Sequence, residues 1–212
     1  GRVGDRLLNS LGNHERKAST KFLGRELKEA LEWLVCCLPV IPPRSIQVTS
    51  VDNVVHVFTD GASEPNRVTV GGCIFERGLR PEVFGSVVPA VTVTRWMAGR
   101  KKQVIGQAEL APTLLAAHIW SKRLQGRFVV WWLDQDAARQ ALVKGYSPVL
   151  ESASIVDEVS LKLSWLNCYS WYARVPTASN PADAASRLDW KTWFEGFPHS
   201  DRVSVPGALW QV

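Results

Sequence analysis

The spacing of hydrophobic positions changes near residue 50, and that change divides the chain. Before it, Leu7, Leu8 and Leu11, then Leu23, Leu27, Ala30, Leu31 and Leu34, recur at three- and four-residue steps, which predicts helices up to about residue 41. Pro39, Pro42 and Pro43 close that stretch, because proline lacks a backbone donor and biases the residue before it away from helix. Residues 54–60 then form a β-branched run stopped by Gly61, and residues 68–76 and 82–88 predict two further strands, broken by Gly78 and Pro81. Short connections make these three an antiparallel meander. Helical spacing returns over residues 107–124, through Leu110, Leu114, Leu115, Ile119 and Trp120, with Pro112 disturbing the start so that the helix begins near Ala111 and holds Glu109 at its mouth. Residues 127–134 are apolar without alternation, as expected of a central strand covered on both faces and paired in parallel. Two helices (residues 135–144 and 149–165) and a fifth strand (168–175) follow. A last short helix has Asn180 as N-cap and Pro181 in the first turn. The order βββαβααβα predicts an α/β fold, a mixed five-stranded sheet of three antiparallel and then parallel strands with helices on both faces.

Composition narrows the class. A chain of 212 residues with 46% hydrophobic and 21% charged residues is that of a globular protein, which excludes disordered, collagen-like and disulfide-knot classes. The net charge of +5 suits an anionic partner such as nucleic acid. Cys36, Cys37, Cys73 and Cys168 have no Cys-x-x-Cys spacing and read as free thiols in a reducing compartment, cytoplasm or nucleus. The longest apolar run, residues 31–41, contains Glu32 and is far shorter than the roughly 20 residues of a membrane span, so no membrane partner is expected. Gly1 at the start and a single Met, Met97, suggest a piece of a longer polypeptide.

Four carboxylates occupy positions where such a sheet joins distant segments. Asp60 ends the first strand, Glu109 enters the first long helix, Asp134 ends the fourth strand, and Asp183 stands in the first turn of the last helix. Parallel neighbours would bring Asp60 and Asp134 to the same carboxyl end of the sheet, where α/β sites commonly lie. The positive ends of helix dipoles should keep Glu109 and Asp183 ionised. Clustered carboxylates call for cations, and hard oxygen ligands favour Mg²⁺, with Mn²⁺ as the alternative. Two such ions suit phosphodiester hydrolysis. Each carboxylate taken alone is equally a turn former or a capping residue.

Local strings carry a resemblance. Phe58-Thr59-Asp60-Gly61-Ala62-Ser63, Gly106-Gln107-Ala108-Glu109-Leu110, Trp132-Leu133-Asp134-Gln135-Asp136 and Asn180-Pro181-Ala182-Asp183-Ala184-Ala185-Ser186-Arg187 resemble, in order, the four motifs of the ribonuclease H family. They are most similar to the ribonuclease H domain of DIRS-like retroelement reverse transcriptases. The resemblance implies that Asp60, Glu109, Asp134 and Asp183 bind two Mg²⁺ ions and cut the RNA strand of an RNA–DNA hybrid, leaving a 3′-hydroxyl and a 5′-phosphate. It implies a division into residues 1–50, a helical remnant of the polymerase portion of the same polyprotein; residues 51–190, the nuclease; and residues 191–212, a tail. Residues 175–180 lack the His that cellular members often carry, so slower product release or metal exchange is expected.

Candidate nucleic-acid contacts follow. Arg95, Arg100, Lys101 and Lys102 would meet phosphates, Gln107 a minor-groove edge or 2′-hydroxyl, Ser63 and Asn66 backbone or ribose oxygens, and Arg187 a phosphate. Gly61 would let the substrate backbone approach. Of the ten Trp residues, Trp96 is the one expected to touch nucleic acid; Trp131, Trp132, Trp190, Trp193 and Trp210 read as architectural. The competing readings are an inactive ribonuclease H-like binding module and a proofreading-type exonuclease, the latter disfavoured because Ala62 stands where it would carry an acid.

Overall fold

A computed structural model describes Leu11 and residues 24–41, 54–97 and 103–210. Strands β1 (Val55–Glu64), β2 (Arg67–Phe75) and β3 (Glu82–Val87) come first, preceded by helix α1 (Arg25–Cys37). Helices α2 (Ala90–Met97), α3 (Ile105–Ile119) and α4 (Ser121–Leu124) lead to β4 (Phe128–Leu133). The remaining elements are α5 (Asp136–Lys144), α6 (Leu150–Trp165), β5 (Tyr169–Arg174), α7 (Ala182–Ser186), α8 (Trp190–Gly196) and β6 (Asp201–Arg202).

The sheet order is β5-β4-β1-β2-β3-β6. β1, β2 and β3 pair antiparallel, whereas β4 joins β1 and β5 joins β4 in parallel, as the sequence order requires. The sixth strand was not expected. It is two residues long, parallel to β3, and arises because residues 203–210 fold back on the core, with Val203, Val205 and Leu209 packed there and Trp210 buried. The segment read as a tail beyond residue 190 thus pairs and packs with the sheet.

Alternation along the strands sorts the two faces. Val55, Val57, Val70, Phe84, Val129, Trp131 and Leu133 form one core with α3, α5 and α6, and Trp96 belongs to it. Phe58, Cys73, Phe75 and Val83 form a second, smaller core with Ala182, Ala185 and Trp193 of α7 and α8. β4 alternates after all: Val129, Trp131 and Leu133 are buried, while Phe128, Val130 and Trp132 are partly exposed, because α7 and α8 stand over β1–β3 rather than over β4 and β5. Trp171, on the uncovered part, is 71% exposed.

The long helix begins at Ile105 and runs unbroken through Pro112, earlier than the sequence suggested, and it ends at Ile119 where Trp120 donates its indole N–H to Glu82 (2.8 Å). Cys37, Cys73 and Cys168 are buried and Cys36 is exposed, none of them in a disulfide. Among the described residues, no helix is long and apolar enough to cross a membrane.

Candidate active site

Register decides where the first two carboxylates stand. The last parallel pair of β1 and β4 is Phe58 with Trp132, so Asp60 and Asp134, two residues further along each segment, stand at the same level. Asp60 does not end its strand, however. β1 continues to Glu64, because Gly61 to Glu64 keep pairing with Val70 to Arg67 of β2 after the contact with β4 has ended.

Alternation then sends neighbouring residues of β1 to opposite faces. Gly61 faces α3, where a Cβ would strike the Ala108 carbonyl and lie 2.8 Å from the Glu109 nitrogen. Proline at position 112 offers no N–H to that carbonyl, which is the i−4 acceptor of a helix. The missing side chain of Gly61 therefore admits the helix backbone rather than the substrate, and this seats Glu109 beside Asp60. Asp60 faces the other way, toward α7. There Gly71 of β2 and Gly85 of β3 let the α7 backbone lie directly on the sheet: a Cβ at Gly71 would be 2.8 Å from the Ser186 Cα, and one at Gly85 would strike the Ala185 carbonyl. Asn180 anchors the start of α7, with its side-chain oxygen accepting from the Ala182 N–H (3.1 Å) and its amide donating to the Thr59 carbonyl (3.3 Å).

Asp60, Glu109 and Asp134 converge, each offering an oxygen within 4.8 Å of the others. Asp60 and Glu109 are only 5% and 6% exposed. Burial, with the charges of Asp134 and Asp183 adding to it against the opposing Ser186 hydrogen bond, raises the Asp60 carboxyl to about 6. Burial again, then the charges of Asp60 and Asp134, raise Glu109 to about 9, although the Gly61 backbone N–H donates to it. The expectation that Glu109 stays ionised at a helix end thus fails without a cation: Glu109 is the fifth residue of α3, beyond the first turn where the dipole acts.

Asp183 stands outside that group of three. Arg187, one helical turn on, donates its Nε–H to both carboxylate oxygens at 2.9 Å. Ser186, in the fourth string, has a role that its local sequence does not announce. Its hydroxyl donates to Asp60 Oδ2.

The cluster fits a divalent cation. Asp134 Oδ1 is buried without a hydrogen-bond partner, and three carboxylates in mutual reach of one another require positive charge to ionise together. An all-oxygen donor set suits a hard ion.

The other expected contacts divide. Gln107 is buried and donates its amide to Ser152 Oγ of α6 (3.1 Å), so it joins two helices and faces no groove. Trp96 is 5% exposed, packed into the larger core, and cannot stack on a base. Ser63 and Asn66 are exposed near the β1–β2 turn and line a cleft of about 610 Å³ with Arg67, Thr94 and Gln103. Arg187 is exposed beside the site. Arg95 lies at the end of α2, and Arg100, Lys101 and Lys102 fall outside the described residues.

No family model and no curated protein matches the chain. Solved structures overlap it weakly. A ribonuclease H1 from the halophilic archaeon Halobacterium salinarum is 16% identical, with a TM-score of 0.49, over 66% of this chain and 98% of that one. The N-terminal ribonuclease H domain of a Mycobacterium tuberculosis protein is 14% identical, with a TM-score of 0.48, over 69% and 99%. LC11-RNase H1, solved in complex with an RNA/DNA hybrid, is 13% identical, with a TM-score of 0.47, over 65% and 99%. By its own strand order and register, the chain has an α/β fold with a mixed sheet, three antiparallel strands followed by parallel ones.

Proposed function

We propose that the chain is a divalent-metal-dependent endonuclease of the ribonuclease H type, cutting the RNA strand of RNA–DNA hybrids. On this reading it is the nuclease portion of a DIRS-like retroelement reverse transcriptase, acting beside the polymerase portion of the same polyprotein in cytoplasm or nucleus. The observation that carries the nuclease reading is the convergence of Asp60, Glu109 and Asp134, from three separate segments, around an unpartnered buried carboxylate oxygen. The four motif-like strings support the retroelement assignment.

Mg²⁺ or Mn²⁺ bound there supplies a Lewis acid for the phosphoryl oxygens and lowers the pKa of an attacking water. The chain's own residues do the rest. Asp60, Glu109 and Asp134 would hold the ion between them, and Asp183, paired to Arg187, stands near enough for its charge to act on Asp60. The exposed Arg187 guanidinium would take a phosphate oxygen of the incoming backbone, a planar, charge-assisted contact that arginine prefers.

Cleavage of an end-labelled RNA–DNA hybrid in Mg²⁺ tests this, with Asp60→Asn and Asp134→Asn as controls. Each substitution is expected to lower the rate by at least about a thousandfold, comparable to the loss of a principal electrostatic group. A wild-type chain that cuts no faster than these variants, alone or joined to a polymerase portion, refutes the proposal.

A further inference from the structure

We propose that the cleft between the β1–β2 turn and α2 is a nucleoside pocket, which takes the base and sugar of an unpaired nucleotide in the nucleic acid that lies across the carboxylate site. The proposal rests on the nuclease reading for its substrate and names a second site on it.

The chemistry of the lining selects the ligand class. The cleft measures about 610 Å³, within the range of pockets for small organic groups. Its floor is apolar: Val88 and Val104 are buried there, while Val87 (49%) and Met97 (43%) keep about half their surface open to it. Ser63, Asn66 and Gln103 stand at the rim, and their side chains have no hydrogen-bond partner among the described residues, so their donors and acceptors are open to a ligand. Among those residues the lining carries one acid, Glu64, and one base, Arg67, and so offers no excess positive charge to a phosphate. An apolar floor under a neutral polar rim matches a nucleobase with its sugar, because a base taken out of its stack is packed between apolar side chains and read by hydrogen bonds to its edge.

Continuity with the carboxylates says which molecule supplies the nucleoside. Ser63 and Glu64 continue β1 three and four residues past Asp60, on the order of 10 Å along an extended strand, and Gln103 and Val104 lead into α3, which carries Glu109. Two segments that form the cleft thus also form the site. The wall made by α2 stands ready before any ligand arrives. Trp96 is packed in the larger core, and the Thr92 hydroxyl donates to the Trp210 carbonyl (3.2 Å) of the returning C-terminal segment. A preformed wall lowers the ordering cost of binding. A base inside a hybrid is paired and stacked, so the pocket favours a nucleotide that has no partner in the opposite strand.

The test uses the full chain with a chelator present, so that nothing is cut. Adenosine and adenosine 5′-monophosphate, followed by ligand-observed NMR, are expected to bind alike, with a Kd on the order of 0.1 mM, and ribose 5-phosphate and inorganic phosphate at least about tenfold more weakly. Thr94→Trp, at an exposed position of α2 that lines the cleft, fills it and is expected to weaken adenosine at least about tenfold. Val91→Trp, on the same helix, 68% exposed and outside the lining, is expected to bind adenosine as the wild type does. Should Thr94→Trp fail to fold, Asn66→Ala is judged in its place, with a loss of about threefold expected for one hydrogen bond. By fluorescence anisotropy, a hybrid with one unpaired RNA nucleotide is expected to bind about tenfold more tightly than a fully paired one, and Thr94→Trp to remove the difference. No binding of adenosine, phosphate binding as tightly as adenosine, a Thr94→Trp variant with wild-type affinity, or no preference for the unpaired nucleotide each overturns the proposal. Wild-type protein that meets these expectations yet cuts no hybrid in Mg²⁺ overturns the nuclease reading and leaves the pocket; wild-type protein that cuts the hybrid and takes no adenosine overturns the pocket alone.

Discussion

Glu109 and Asp60 hold their protons more tightly in the folded chain than carboxyls do in water, at about 9 and about 6. The native state therefore binds more protons than the unfolded state between the ordinary carboxylate range and those values, and stability falls as pH rises through that window. Metal-free protein should melt at a lower temperature at pH 8 than at pH 5, and saturating Mg²⁺ should erase most of the difference. Glu109→Gln, which cannot ionise, should flatten the slope, raise the metal-free melting temperature at pH 8 by on the order of 5 °C, and abolish cleavage. Thermal melts of both proteins across pH 5 to 8 check this; identical slopes would refute it. The carboxylates themselves were readable in the sequence, because their local strings and the βββαβ order put Asp60, Glu109 and Asp134 on segments that the sheet brings together, although Asp60 does not end its strand. Gln107 and Trp96 misled for one reason: an amide and an indole near a basic run look like contacts for nucleic acid, and nothing local tells that both are buried, by Ser152 in one case and by the main core in the other.

At the scale of elements, the short helix α7 does more than its length suggests, since it carries Asp183, Ser186 and Arg187 and lies flat on the sheet. A five-residue helix has almost no stability of its own, so its place is set by tertiary contact with Gly71 and Gly85. Gly71→Ala puts a methyl group into the α7 backbone and should cost about 1–3 kcal/mol, with a parallel loss of cleavage as Ser186 is pushed off Asp60. Gly196→Ala, at the end of α8 with open space around it, should leave both unchanged. Urea unfolding and cleavage rates of the two variants decide; equal tolerance of both would count against the packing argument. The order of the long elements was legible because their periodicity is strong. The extension of β1 past Asp60 was not: Gly61 and Ala62 are poor strand formers, and only their pairing with Val70 and Thr69 of β2 carries the strand on. Nor was β6, a two-residue strand that exists only because Trp210 and its neighbours pack behind it.

Across the whole molecule, the carboxylate cluster and a second cluster of charged side chains stand at opposite ends of the sheet. The carboxylates lie beyond the carboxyl ends of the paired parts of β1 and β4, whereas Glu76, Glu82 and Arg127 lie at the other end, where β2 stops and β3 and β4 begin. Arg123, at the end of α4, joins that group: it donates to Glu82 (2.9 Å) and lies 3.5 Å from Glu76, which also accepts from Arg127 (2.6 Å). Trp120 completes the cluster through Glu82. These charges are partly or largely withdrawn from water, so removing one partner strands the others; Arg123→Met, which keeps the aliphatic bulk, should cost about 3–5 kcal/mol. The site is at the far end and shares no group with this cluster, so the variant that is still folded at 25 °C should cut the hybrid at the wild-type rate. Urea denaturation measures the first expectation and single-turnover cleavage the second. A variant as stable as the wild type would show that the charges are not a clamp, and a folded variant that has lost cleavage would show that the two ends of the sheet are coupled.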